Sequence, residues 1–447
     1  MSEHILIVGG GFSGTMLAVN LLRLGGVRVT LAERRKGRIA RGVAYSAADA
    51  SHLLNVRAGN MSAFPDDRDH FARWLSDRGL GDAATFARRA IYGDYLDDLL
   101  RTAVVGAGGG LTIVDGEVAA INPIGHGFSV TWSDGHTVVF DRVVLAPGNL
   151  PPLPPPGVDP QALSPDTYLN DPWSARIAQG VGEGDEVLLI GTGLTTIDAA
   201  LLLDRAGFRG RITAMSRRGL RPRAHEAAHG AAGSPASGPG TPLSRLTGLV
   251  RQEAARCGWR PAVDALRPIT QSLWAEADLA TRQRFLRHLR PFWDVHRHRI
   301  APEVAEAIDI MVAQGRLTFQ AGKIVSVEPQ GSGATVTYRP RGQDTVRRLA
   351  VRRIVNCTGP QGDLLRTTEP LLIQLQDAGL IRPDAARLGI DVDAQGNTIS
   401  ARDTPNQRLH AIGPMTRSAL WEIVAVPDIR LQAQRMAQRL VNRHTAD

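Results

Sequence analysis

The stretch HILIVGGGFSGTMLAVNLLRLGGVRVTLAE, residues 4–33, contains the pattern that decides the fold. A short apolar strand runs into a G-x-G-x-x-G turn, which opens an amphipathic helix, and a second strand over 27–32 ends at Glu33. The glycines of the turn are Gly9, Gly11 and Gly14. The amides at such a helix N-terminus bind a pyrophosphate, and an acid at the tip of the second strand binds ribose hydroxyls. The stretch therefore predicts a βαβ unit that binds an adenine dinucleotide.

The same unit occurs a second time in the middle of the chain. An apolar strand at 186–190 leads into a turn that has Thr196 in place of the third glycine, and a helix and a further strand end at Ser216. Ser216 takes the place of the ribose-binding acid and is followed by Arg217 and Arg218. Loss of a carboxylate and gain of guanidinium groups favours a coenzyme with a 2′-phosphate, and hence NADPH over NADH. The alternative is that both arginines are merely solvated.

Two such units predict two dinucleotides, FAD in the N-terminal unit and NAD(P)H in the middle one. The predicted fold class is α/β, with two Rossmann-like dinucleotide-binding domains, and the FAD domain is interrupted by a nested NAD(P)H domain with a helical insert. We expect residues 1–155 to form the first part of the FAD-binding domain, 156–350 the NAD(P)H-binding domain, and 351–447 the completing part. Within the middle domain we expect a flexible loop at 230–242 and the helical insert at 243–315.

Strand-and-turn segments near the domain junctions add candidates for cofactor contact. The segments 143–149 and 353–360 each end in a glycine turn, and 409–414 resembles a strand and glycine that approach the ribityl chain of a flavin. The aspartate that is common at the place of Pro414 is missing, so we expect any contact there to come from backbone amides. The predicted cofactor-binding residues are Gly9, Gly11, Phe12, Ser13, Gly14, Glu33, Gly148, Gly191, Gly193, Thr195, Ser216, Arg217, Arg218, Gly359 and Gly413.

Composition narrows the class of protein. The chain has 447 residues and two cysteines, Cys257 and Cys357, and its net charge of +8 is carried by arginines scattered along the sequence. Two cysteines so far apart exclude a disulfide scaffold and a Cys-x-x-Cys redox pair, and scattered arginines argue against a nucleic-acid partner. Since there is no run of about 18 apolar residues, we expect no membrane span. The sequence predicts a cytoplasmic protein that is a monomer or a homodimer.

Histidines near the end of the predicted insert raise the question of a metal site. At a spacing of two, His296 and His298 would share one face of a strand. No carboxylate or cysteine ligand pattern accompanies them, and the neighbouring arginines would repel a cation. We therefore expect no metal ion.

Several short motifs are more specific than the glycine patterns. They are GVAYS at 42–46, HLLNV at 52–56, MSAFPDD at 61–67, HFARWL at 70–75, WDVHRHR at 293–299 and WE at 421–422. These motifs resemble those of a bacterial family known as FAD/NAD(P)-binding proteins. The family includes an FAD-dependent urate hydroxylase and an aspartate N-monooxygenase, both of which use reduced nicotinamide and O₂. The resemblance implies an FAD- and NAD(P)H-dependent monooxygenase whose partners are O₂ and a small-molecule substrate.

By size, the resemblance favours the compact urate hydroxylase, so the main expectation is conversion of urate to 5-hydroxyisourate in purine catabolism. One alternative is a monooxygenase that N-hydroxylates an amine or amino acid, and another is a flavin-binding redox partner or sensor without turnover. The candidate catalytic residues are Tyr45, His52 and Asn55, which follow the first βαβ unit, and His225, which follows the second βαβ unit. A loop rich in polar and aromatic groups is more often functional than connecting, so we expect the first three to line the flavin. The alternative for each of these residues is a structural role, in which the side chain caps a helix or forms a hydrogen bond with a buried backbone group.

Overall fold

The computed structural model describes residues 2–46, 51–226, 238 and 240–442, and these form two compact units. The first unit contains residues 2–46, 57–150 and 362–442, and the second contains the described residues of 51–56 and 151–361. Most of the predicted flexible loop, namely 230–237 and 239, lies outside the described residues. None of the described helices is long and apolar enough to cross a membrane.

The first unit is built on a six-stranded sheet. The elements before the second unit are β1 (His4–Val8), α1 (Phe12–Leu24), β2 (Arg28–Glu33), α2 (His70–Ser76), α3 (Arg89–Gly106), β3 (Leu111–Asp115), β4 (Val118–Ile124), β5 (Gly127–Trp132), β6 (Thr137–Phe140) and β7 (Arg142–Leu145). Two strands and two helices after the second unit complete it. The strand order in the sheet is β15-β16-β7-β1-β2-β3, where β15 is Asn397–Ile399 and β16 is Pro405–Ala411. The remaining helices are α11 (Pro370–Asp377) and α12 (Val426–Asn442).

Apolar side chains cover both faces of this sheet. In β1, Ile5, Leu6 and Ile7 are fully buried, as expected for a central strand that pairs in parallel with β2 and β7. Helices α1 and α12 pack against each other, while the antiparallel strands β4, β5 and β6 and helix α11 enclose a cluster that includes Trp132 and Leu375. This packing holds the glycine turn at the carboxyl edge of the sheet, where parallel α/β folds place their ligands.

The second unit contains a seven-stranded sheet. Its strands are β8 (Tyr168–Leu169), β9 (Glu186–Ile190), β10 (Arg211–Ser216), β11 (Leu317–Gln330), β12 (Gly333–Pro340), β13 (Arg347–Val351) and β14 (Arg353–Asn356). Its helices are α4 (Leu194–Arg205), α5 (Leu243–Cys257), α6 (Trp259–Asp264), α7 (Thr270–Glu276), α8 (Leu279–Arg284), α9 (Arg290–Arg297) and α10 (Pro302–Ala313), with a π-helical turn at Phe285–Leu289. The strand order is β13-β12-β11-β10-β9-β14-β8.

The predicted helical insert has two structural parts. Helices α5–α9 bury few side chains, whereas α10 buries Ile308 and Met311 in the core of the Rossmann-like unit. Helix α10 therefore serves as the crossover between the parallel strands β10 and β11. Two further differences from the sequence analysis concern local structure. His296 lies on α9 and not on a strand, and β14 pairs with β9 of the second unit although residues 351–361 were expected to complete the FAD-binding domain.

The helices that follow both glycine turns begin earlier than the sequence predicts. Helix α1 begins at Phe12 and α4 begins at Leu194, so each helix starts inside the glycine turn that the sequence places before it. In each case a glycine of the turn, Gly11 or Gly193, is the N-cap residue. The first helical turn thus starts inside the glycine motif. The backbone N–H groups of that turn, which have no partner within the helix, therefore lie beside the glycines.

A buried arginine holds β14 in the second unit. Arg353 is 2% exposed and donates to four backbone carbonyl oxygens instead of a carboxylate. Its Nε donates to Asp166 at 2.9 Å, and its Nη1 donates to the carbonyls of Arg176, Ile177 and Gln179 at 2.6–2.9 Å. The residues before β9 are thereby fixed to the start of β14.

Replacing Arg353 with Met should therefore lower the free energy of unfolding by about 3 kcal/mol, because several buried carbonyl oxygens lose their donor. Urea denaturation followed by circular dichroism measures this. The matched control is Arg348→Met on β13, where the side chain is exposed. Equal midpoints for the two variants would contradict a structural role for Arg353.

Candidate dinucleotide sites

The first glycine turn is shaped by close backbone packing. Gly9 has φ +113°, and a Cβ there would overlap the carbonyl oxygen of Ala146, just after β7. Its N–H donates to the carbonyl of Ala32 in β2 at 2.9 Å. A Cβ at Gly14 would overlap the carbonyl oxygen of Gly9. Only glycine fits at both positions, so the turn meets the helix as closely as the motif requires.

The N-terminus of α1 is free of side-chain capping. Gly11 is the N-cap residue, and no acidic side chain lies in the first turn. The Thr15 hydroxyl donates to the carbonyl of Gly10 at 3.0 Å, which braces the turn without using the first amides. The first-turn residues Phe12 and Ser13 thus present the positive end of the helix, which suits a pyrophosphate.

Glu33 at the end of β2 lies where the sequence predicts a ribose-binding acid. One carboxylate oxygen accepts the N–H of Gly10 at 3.0 Å, and the other accepts the N–H of Arg35 at 3.0 Å. These bonds orient the carboxylate beside the glycine turn and leave lone pairs for two hydroxyl donors. The turn, the uncapped helix and the oriented acid together fit the adenosine and pyrophosphate of FAD.

The C-terminal part of the first unit contributes Gly413 to this site. Gly413 has φ +84°, and a Cβ there would overlap the side chain of Ser13. Two predicted site residues are therefore neighbours at the start of α1. The N–H of Gly413, however, donates to Gln432 of α12 at 2.9 Å. The amide of Gly413 is therefore already bonded within the first unit. Gly148, by contrast, has φ +69° and open space around its Cα.

Tyr45 lies in the first unit, close to the helix start. Its ring contacts those of Phe12 and Tyr92, with centroid separations of 6.3 and 4.7 Å. The N–H of Ala40 donates to the carbonyl of Gly10 at 2.7 Å, so the segment that carries Tyr45 is tied to the glycine turn. Burial raises the pKa of the Tyr45 phenol well above its ordinary value. Tyr45 therefore presents a neutral aromatic side chain.

The second glycine turn repeats the geometry of the first. Gly191 has φ +125°, its N–H donates to the carbonyl of Met215 at 2.7 Å, and a Cβ there would overlap the carbonyl oxygen of Cys357. Gly193 caps α4 and has open space around it. Thr196, in place of the third glycine, is fully buried. Thr195 is half-buried in the first turn of α4, and Gly359 has φ +85° in open space.

The last residue of β10 and the two arginines that follow it have three different roles. The hydroxyl of Ser216 bonds that of Thr192 at 2.9 Å and accepts the N–H of Gly219 at 3.0 Å, so Ser216 shapes the turn. Arg218 donates to the carbonyl of His288 at 3.4 Å, and its guanidinium lies 5.0 Å from the ring centroid of Phe292. Arg217 is exposed and lines an open cleft. The structure thus separates two arginines that the sequence treats alike.

Sequence reasoning missed the other cations of this cleft. Besides Arg217, the cleft is lined by Lys323 of β11 and by Arg339 and Arg341 at the end of β12. The run Arg-Pro-Arg-Gly at 339–342 is a local signal that could have identified them. The signal is weak, since only strand pairing shows that Lys323 faces the same cleft.

The other three candidate catalytic residues belong to the second unit. His52 is 2% exposed, and its Nε2 lies 3.2 Å from the carbonyl oxygen of Asp198 on α4. His225 Nε2 lies 3.0 Å from the carbonyl oxygen of Asn55. The structure therefore brings His225 and Asn55 together and places His52 against α4. Tyr45 lies in the other unit.

A test of the first site uses Gly11. An added Cβ would lie 3.4 Å from the Cα of Gly42, so the fold can accept a small side chain, but the methyl groups of valine would fill the space before α1. We expect Gly11→Val to give colourless protein, because the pyrophosphate can no longer approach the helix. Flavin absorbance per protein is the measurement. The control is Gly106→Val in α3, where nothing lies near the added atom. Stoichiometric FAD in Gly11→Val would assign the flavin elsewhere.

Comparison with known families supports the assignment of the first unit. Residues 6–150 match a family model described as FAD-NAD(P)-binding. This match confirms an FAD-NAD(P)-binding domain, and with it the predicted cofactors FAD and NAD(P)H. No curated protein matches the sequence.

Solved structures of low sequence identity share the fold over the whole chain. L-lysine 6-monooxygenase from Pseudomonas syringae has 19% identity and a TM-score of 0.68, with 99% of each chain covered. Ornithine hydroxylase from Pseudomonas aeruginosa, in its reduced form, has 15% identity and a TM-score of 0.67, again with 99% of each chain covered. Ornithine N-hydroxylase from Kutzneria sp. 744, with reduced FAD, NADP⁺ and L-ornithine, has 18% identity, a TM-score of 0.66 and 99% and 100% coverage. These matches confirm the predicted α/β fold class with Rossmann-like domains.

Proposed function

We propose that the chain is an FAD-dependent monooxygenase that uses NADPH and O₂ to N-hydroxylate a primary amine of a small molecule. The observation that carries this proposal is the shared fold over nearly the full length of three enzymes named for hydroxylating ornithine or lysine. The two glycine turns, each with its own strand, helix and second strand, supply the two dinucleotide sites that such a reaction needs.

The reaction balances as R–NH₂ + O₂ + NADPH + H⁺ → R–NHOH + NADP⁺ + H₂O. The chemistry that bound FAD would supply is hydride uptake from NADPH and reduction of O₂ for transfer of one oxygen atom. The chain's own residues bind and orient the dinucleotides. In the first unit these are the amides at the start of α1 and the Glu33 carboxylate, and in the second unit the amides at the start of α4 and the cations after β10.

The cysteines argue against the dithiol chemistry of disulfide reductases. Cys357 is 4% exposed, and burial raises the pKa of its thiol to about 12, so it stays protonated. The other cysteine of the sequence, Cys257, ends helix α5. A thiolate and a nearby partner thiol are both required for disulfide exchange. Oxygen transfer needs neither.

Of the functions that the sequence left open, amine N-hydroxylation has the better support. Two of the matches reported above are named as ornithine hydroxylases and one as an L-lysine 6-monooxygenase, and none of the three is named for urate. The main sequence expectation, urate hydroxylation, therefore gives way to its alternative. A flavin-binding sensor without turnover remains a distinct outcome of the substrate test.

That test compares substrates under one condition. The purified protein with FAD and NADPH is given ornithine, lysine, aspartate or urate, and NADPH oxidation and hydroxylamine formation are measured together. We expect an amino acid to stimulate NADPH oxidation about tenfold or more, with hydroxylamine formed in step. Stimulation by urate alone would overturn the proposal, and negligible oxidation with every substrate would indicate the sensor. Omission of substrate gives the background rate.

Substitution of Tyr45 tests whether this side chain keeps NADPH consumption coupled to product formation. In this proposal its neutral ring, packed on Phe12 and Tyr92, helps exclude water from the flavin site. We expect Tyr45→Ala to keep FAD but to lower the product formed per NADPH consumed to about half or less, with hydrogen peroxide making up the difference. The control, Tyr45→Phe, keeps the ring and should keep the ratio. Unchanged coupling in Tyr45→Ala would assign the residue to packing alone.

A further inference from the structure

A cleft of about 270 Å³ in the second unit gathers four cations at the end of β10. Its cations are Arg217, Lys323, Arg339 and Arg341, and among the described residues Asp344 is the one acid that lines it. Within the described parts of the chain, none of the four cations forms an ion pair or a side-chain hydrogen bond. The cleft therefore carries positive charge that the protein itself does not neutralise.

Strand pairing builds this cleft from distant parts of the sequence. Ser216 pairs with Ala321 on the last rung of β10 and β11, so Arg217 lies beside Gly322 and Lys323. In the antiparallel pair of β11 and β12, Lys323 lies directly opposite Arg339. Like charges opposite each other destabilise a sheet unless an anion lies between them. This arrangement therefore favours a bound anion.

The first unit shows the contrast. Arg34 follows β2 as Arg217 follows β10, but Arg34 forms ion pairs with Glu117 at 3.2 Å and Glu369 at 2.7 Å. The arginine after the ribose-binding acid is thus neutralised in one unit. At the same position of the second unit, the arginine faces further cations. The two units differ where a 2′-hydroxyl and a 2′-phosphate would require different partners.

The geometry points to this cleft as the binding site for the 2′-phosphate of NADPH, with Lys323, Arg339 and Arg341 of the β11–β12 hairpin as specificity-determining residues. The inference rests on the proposed use of NADPH and names the residues that select it. Guanidinium groups bind phosphate through paired N–H donors, and the Lys323 ammonium adds a point charge. Arg218 contributes little to this selection, because its guanidinium is bonded to the carbonyl of His288 and lies over Phe292.

The test measures binding and does not depend on turnover. Titration calorimetry on the FAD-containing protein compares 2′,5′-ADP, 5′-AMP and inorganic phosphate. We expect the wild type to bind 2′,5′-ADP at least about tenfold more tightly than 5′-AMP. Lys323→Ala and Arg339→Ala should each weaken 2′,5′-ADP binding by about fivefold to tenfold and leave 5′-AMP binding unchanged, which also shows that the variants are folded. The matched control is Arg348→Ala, an exposed arginine on the adjacent strand β13.

Three results would overturn the inference: equal affinity of the wild type for the two nucleotides, unchanged 2′,5′-ADP affinity in both hairpin variants, or inorganic phosphate binding as tightly as 2′,5′-ADP. The last result would indicate a general anion site. Failure of the proposed function is seen separately, as absence of amine-dependent NADPH oxidation, while the nucleotide affinities still decide the role of the cleft.

Discussion

Contact between one glycine and the end of a neighbouring strand fixes the position of each dinucleotide site. A side chain at Gly9 would overlap the carbonyl of Ala146, and one at Gly191 would overlap the carbonyl of Cys357. Each glycine also donates its N–H to the second strand of its unit. The turn is therefore confined to the carboxyl edge of the sheet, and the following helix must begin with its amides exposed to a ligand.

From this shared start, the two units diverge at the end of the second strand. Glu33 accepts the N–H of Gly10, and Ser216 bonds Thr192, so equivalent residues contact equivalent residues. The first pair places a negative charge beside the turn. The second pair has no net charge, and the nearby hairpin adds cations. The same backbone arrangement thus has a negative charge beside the turn in the first unit and positive charge nearby in the second. This is possible because the side chain at the strand end can differ without a change in the turn.

Much of this could be predicted from the sequence because it is encoded locally. Strand, glycines, helix and second strand lie within 31 residues in each βαβ unit, and their alignment also located Ser216. Features set by long-range pairing could not be predicted. Residues 51–56 join the second unit through His52 and Asn55, and β14 joins it through β9. The opposition of Lys323 and Arg339 depends on strand register, which a single sequence specifies weakly.

The helical insert shows why the coenzyme unit can carry so large an addition. The segments 223–225 and 300, which flank helices α5–α9 in the sequence, pair with each other: His225 N–H donates to the carbonyl of Ile300 at 2.9 Å, and Ile300 N–H donates to that of Arg223 at 3.0 Å. Arg299 closes the return with a bidentate ion pair to Asp264 on α6. Since entry and exit are adjacent, the intervening helices place little constraint on the sheet. Helices α5–α9 can therefore vary while α10, β10 and β11 keep the coenzyme site intact.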